Sequence, residues 1–69
     1  MAFGKLFTKL ITKYPQFSTV SANRFSLLTY AELKSIAKAM RGNGDLYGNY
    51  THDTHSELAN RVYRAVLEM

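Results

Sequence analysis

The sequence predicts a small all-α domain of three helices, at about residues 3–14, 30–41 and 54–68, joined by long loops and open to dimerisation. Three observations predict it. Apolar residues recur at helical spacing in each segment, two segments open on a Thr-x-x-Glu capping box, and a Gly/Asn cluster separates the second helix from the third. At 69 residues the chain has room for one domain. A chain this short buries only about 60% of the surface its unfolded form exposes, so its stability is marginal. With no cysteine there is no disulfide and no thiolate metal site to help. An apolar share of 46% against 20% charged residues is nevertheless too high for a disordered chain.

Residues 3–14 carry Phe3, Leu6, Phe7, Leu10, Ile11 and Tyr14 along one stripe, with Lys5, Lys9 and Lys13 recurring every fourth residue on the other side. Pro15 disfavours helical backbone at Tyr14, so the helix ends there. Residues 16–28 read as a loop with one or two helical turns, capped by Ser18 or Ser21, with Phe17, Val20, Phe25 and Leu28 as scattered apolar contacts.

Thr29-Tyr30-Ala31-Glu32 is a capping box, and Leu28 and Leu33 stand at the two ends of a hydrophobic staple around it. Tyr30, Leu33, Ile36, Ala37 and Met40 then form an inward stripe while Lys34, Lys38 and Arg41 point outward. Gly42 is the expected residue just past the helix end, where a left-handed backbone is needed. In residues 42–53 the turn formers Gly42, Asn43, Gly44, Gly48 and Asn49 surround Leu46, Tyr47 and Tyr50, which suggests a loop folded back over the core. Thr54-His55-Ser56-Glu57 opens the last helix, with Asp53 as a rival cap. Leu58, Val62, Ala65 and Met69 make its stripe, broadened by Ala59, Tyr63 and Val66. The expected core is Phe3, Phe7, Leu10, Leu33, Ile36, Met40, Leu58, Val62 and Val66.

Charge divides unevenly. Residues 1–41 hold seven Lys and Arg against the single carboxylate of Glu32, whereas residues 42–69 hold Arg61 and Arg64 against Asp45, Asp53, Glu57 and Glu68. Such halves can attract each other within one chain or between two copies, and the basic half can meet an anionic partner.

Catalytic signatures are missing from this pattern. His52, Asp53 and His55 supply three potential zinc ligands, but at a helix cap and with no fourth ligand, so no metal is expected. The glycines of residues 42–48 lack the Gly-Lys-Ser/Thr ending of a phosphate-binding loop, and Asp45 would repel a phosphate. The Asn49-Tyr50-Thr51 sequon carries no weight without a secretory signal, and none is read here, so a cytoplasmic setting is expected. No cofactor is implied.

What remains is binding. Nine aromatics, five of them tyrosines, exceed what so small a core needs, and Tyr and Arg are the residue types that anchor interfaces. The first expectation is a non-catalytic regulator or inhibitor that binds protein through Tyr47, Tyr50, Tyr63, Arg61 and Arg64, with a homodimer plausible. The second is a basic helical nucleic-acid binder using Lys5, Lys9, Lys13, Lys34, Lys38 and Arg41, provided the two basic faces are coplanar. A helix-turn-helix is disfavoured because about twelve residues join the last two helices where that motif uses three or four. A membrane-interfacial role for helix 3–14 comes last, since its apolar stripe is needed for the core.

Overall fold

The computed structural model describes the backbone of residues 2–19 and 24–69 and the side chains of residues 5–19 and 24–69. Three α-helices form, α1 (Ala2–Lys13), α2 (Tyr30–Gly42) and α3 (His55–Glu68), with single 3-10 turns at Pro15–Phe17 and Phe25–Leu27. There is no strand among the described residues. The all-α reading therefore holds, with each boundary within about two residues of its expected place. Val20, Ser21 and Asn23 lie outside the described residues, and so does the side chain of Phe3.

Each helix starts and stops for a local reason. Pro15 ends α1 and becomes the first residue of the following 3-10 turn, while the Tyr14 N–H still closes a 2.8 Å bond onto the Leu10 carbonyl. Both capping boxes form. The Thr29 hydroxyl accepts from the Glu32 N–H, the Thr54 hydroxyl accepts from the Glu57 N–H, and each glutamate reaches back to its threonine N–H at 2.8 Å. Thr54 thus takes the cap for which Asp53 was a rival, and Asp53 is free for other work.

The end of α2 differs from expectation. Gly42 is the last helical residue rather than the one beyond it, and the left-handed position falls to Gly44, at φ +81°. Two bonds close a Schellman motif there: the Gly44 N–H donates to the Arg41 carbonyl at 3.1 Å and the Asp45 N–H to the Met40 carbonyl at 2.8 Å. The helix runs on because Asn43 can still satisfy a near-helical turn and a second glycine stands one residue later. This turn drops Leu46 into the core at 2% exposure.

Helix α3 is the shared neighbour, packing on α1, on α2 and on the Phe25–Leu27 turn. Every expected core residue with a described side chain is buried, namely Phe7, Leu10, Leu33, Ile36, Met40, Leu58, Val62 and Val66. Tyr14, Phe25, Leu28, Ala37, Leu46, Ala59 and Ala65 join them. Tyr30 departs from the inward stripe: at the first position of α2 it lies at the rim, and its hydroxyl donates to the Asp53 carbonyl at 2.9 Å. The radius of gyration, 10.8 Å, matches the roughly 11 Å of a compact chain of this length. Apolar side chains still outside are therefore not left there by a loose core.

Candidate functional site

The fold consumes its acids. Glu32 and Glu57 are held in the two capping boxes. Asp45, placed by the Schellman turn, accepts from Lys13 Nζ at 2.8 Å, from the Tyr14 hydroxyl in a short bond, and from Asn43 Nδ2 at 3.2 Å. The bonds from Lys13 and then Tyr14 hold the Asp45 carboxyl down from its ordinary 3.8 to about 2, against an opposing cost of burial that outweighs the smaller help from Asn43. Burial first, and then the bond to Asp45, pushes the Tyr14 phenol above its ordinary 10.0. Asp53 is held below the usual carboxylate range by Arg61, whose guanidinium meets it at 2.7 and 3.2 Å and is itself raised by the contact. Of the five carboxylates only Glu68 has no such role.

These contacts redistribute the residues singled out from sequence. Arg61 is an internal strut, tying Asp53 to α3 and donating to the Tyr47 carbonyl at 3.3 Å, so its guanidinium is committed to the loop. Tyr50 packs half-buried against the core. Tyr47 stays outside at 81% exposure, and Arg64 is exposed without an ion pair. The α1 row of cations divides as well. Lys13 is spent on Asp45, and Lys9 Nζ donates to the Leu67 carbonyl at 3.2 Å, supplying a cation to the end of α3, whose last turn has no basic residue of its own. Lys5 alone of that row is unengaged. On α2, by contrast, Lys34, Lys38 and Arg41 are all exposed and without a carboxylate partner; Lys34 Nζ lies 5.4 Å from the Tyr30 ring centre, at cation–π range.

A groove of about 760 Å³ lies between α1, the Phe25–Leu27 turn and the first half of α3. Phe7 and Phe25 stack at its base with ring centres 4.6 Å apart, and Phe25 meets Tyr63 edge-on at 6.1 Å. Tyr63 stands at the mouth, 41% exposed, with Arg24, Glu57 and Asn60 on the rim. Leu27 of the same turn and Leu67, one helical turn beyond Tyr63, are exposed at 65% and 49%. Of these only Tyr63 was expected to contribute. Residues 16–28 show no clean periodicity, so nothing in the chain announced Arg24, Phe25 or Leu27 as neighbours of α3.

His55 Nε2 lies 2.6 Å from the Leu28 carbonyl, so it donates there and pins the start of α3 to the segment before α2. With Asp53 on Arg61 and His55 on Leu28, the His-Asp-x-His run does not converge, and no cluster of three metal-ligating side chains exists among the described residues. No described helix is long and apolar enough to cross a membrane. Comparisons with protein-family models, with curated proteins and with solved structures find no match for this chain.

Proposed function

We propose that the chain is a non-catalytic module that binds a protein partner at the groove between α1 and α3. One observation carries this reading: Tyr63 stays half-exposed at the mouth of a preformed groove whose base is the Phe7–Phe25 stack. A tyrosine edge-packed on a buried ring is rigid, so ordering it against a partner costs little side-chain entropy. Leu27, in the turn that carries Phe25, and Leu67, one helical turn beyond Tyr63, add exposed apolar surface on the same two elements. Tyr63 is the anchor, and Arg64 and Tyr47, exposed but outside the groove lining, are peripheral contacts; Arg61 and Tyr50 act by holding the loop. Acting as a regulator or inhibitor by covering a partner's surface requires no cofactor. A fold that closes without cysteine suits a reducing, cytoplasmic setting.

Capture from nuclease-treated host lysate is the test, comparing the native chain with Tyr63→Ala and Asn60→Arg. Asn60 lines the groove from an exposed position, so the long side chain fills the mouth without entering the core. A protein retained by the native chain and lost with both variants, at unchanged helicity, supports the site. Retention unaffected by either variant overturns it. Sedimentation equilibrium of the purified chain decides whether the captured partner includes a second copy.

A further inference from the structure

The exposed face of α2 is a separate surface, since no α2 residue lines the groove. We infer that Lys34, Lys38 and Arg41 form a binding face for the phosphodiester backbone of a nucleic acid.

Their spacing of four and three residues sets them within about 60° of arc and spreads them over about 10 Å of helix axis. That run suits successive phosphates along one strand. None of the three has a carboxylate partner, because the fold has already assigned Glu32, Asp45, Asp53 and Glu57 to caps and ion pairs. The attraction is therefore not compensated inside the molecule. Tyr30 lies beside Lys34 at one end of the row, and the other exposed residues beside the three cations, Ala31, Ser35 and Gly42, are small and uncharged; a Cβ added at Gly42 would meet nothing within 4 Å. A polymer backbone can approach this face closely.

Two other anionic partners fit less well. Insertion at a lipid surface needs an apolar face turned outward, and the apolar stripe of α2, Leu33, Ile36, Ala37 and Met40, is fully buried. Protein interfaces are depleted in lysine and anchored by aromatics, whereas this face has two lysines and only Tyr30 at its edge. The α1 lysines do not extend the surface as a matching row, because Lys9 and Lys13 are engaged at Leu67 and Asp45.

Fluorescence anisotropy with a labelled 20-base-pair DNA duplex, and with a single-stranded RNA of the same length, tests the inference on the intact chain. Three neutralised phosphates give a logarithmic salt slope of about −2.7 on the duplex and about −2.1 on the single strand, so affinity should fall about 40-fold and about 18-fold respectively between 50 and 200 mM NaCl. Lys34→Gln, Lys38→Gln and Arg41→Gln combined should abolish binding to both probes, or flatten the slope to near zero, with helicity unchanged. Lys5→Gln, the charge control, should leave the slope as it was. No binding by the native chain at 50 mM NaCl overturns the inference. So does undiminished binding by the triple variant, or binding to phosphatidylserine vesicles that exceeds binding to both nucleic acids.

Discussion

Replacing Asp45 with alanine should cost about 2 kcal/mol, a large share of the 3–5 kcal/mol a core of this size supplies. The figure comes from the contacts. A carboxyl lowered from 3.8 to about 2 corresponds to about 2 kcal/mol if none of the interaction is screened. Lys13 is 44% exposed, and water weakens its pull, leaving about 1 kcal/mol from the ionised network. The second contribution, about 1 kcal/mol, is the Tyr14 hydroxyl, which loses its acceptor while the ring stays 5% exposed. Urea unfolding followed by far-ultraviolet circular dichroism reads the loss, and the melting midpoint should fall by about 10 °C.

The pH dependence separates this mechanism from a nonspecific loop defect. Asp45 is lowered in the fold, so its contribution is complete above about pH 4 and is lost as pH falls through about 2. The gap between native and Asp45→Ala stability should therefore narrow by about 1 kcal/mol from pH 5 to pH 2. Tyr14 is raised, so the neutral phenol stabilises the fold below pH 10, and that part is lost as pH climbs past 10. Tyr14→Phe should remove the alkaline limb and show a coupling of about 1 kcal/mol with Asp45→Ala in a double-mutant cycle. A cost below 0.5 kcal/mol for Asp45→Ala, or a gap that stays constant between pH 5 and pH 2, refutes the reasoning.

Two further substitutions check the local structure. Gly44→Ala should cost about 1 kcal/mol because φ is +81° there, whereas Gly42→Ala should be neutral or stabilise by about 0.5 kcal/mol, since Gly42 is helical with open space around its Cβ; urea midpoints of the pair decide which glycine ends α2. Thr54→Ala should cost about 1 kcal/mol and Thr54→Ser only a few tenths, measured the same way, because the serine hydroxyl can still accept from the Glu57 N–H.

The helices and their starts were legible because their causes are local. A capping box is four consecutive residues, and the stripes of Leu33, Ile36 and Met40 or Leu58, Val62 and Val66 declare a buried face by spacing alone. The stop of α2 was legible as a glycine stop but not as a particular glycine, since Gly42 and Gly44 both satisfy the sequence rule and the choice turns on which carbonyls the chain can reach. The Phe25–Leu27 turn was harder still. It is held by packing on α3 and by His55 reaching the Leu28 carbonyl, contacts about 30 residues away that no periodicity encodes.

The candidate surfaces were obscured for the same reason, and the pairing of charges shows why. By sequence Lys13 and Arg61 are candidate binding residues as much as Lys38 and Arg64 are. Only the path of the chain assigns the first two to Asp45 and Asp53 and leaves the other two outside. The basic front and acidic back do attract each other, but within one chain, through Lys13 and Asp45. Once the acids are spent inside the molecule, the acidic half has only Glu68 left to offer a second copy. Head-to-tail pairing by charge thus has one unassigned carboxylate to draw on. Lys5, Arg24 and Arg64 also stay without a carboxylate, but Lys34, Lys38 and Arg41 are the three unpaired cations that stand together on one helix face.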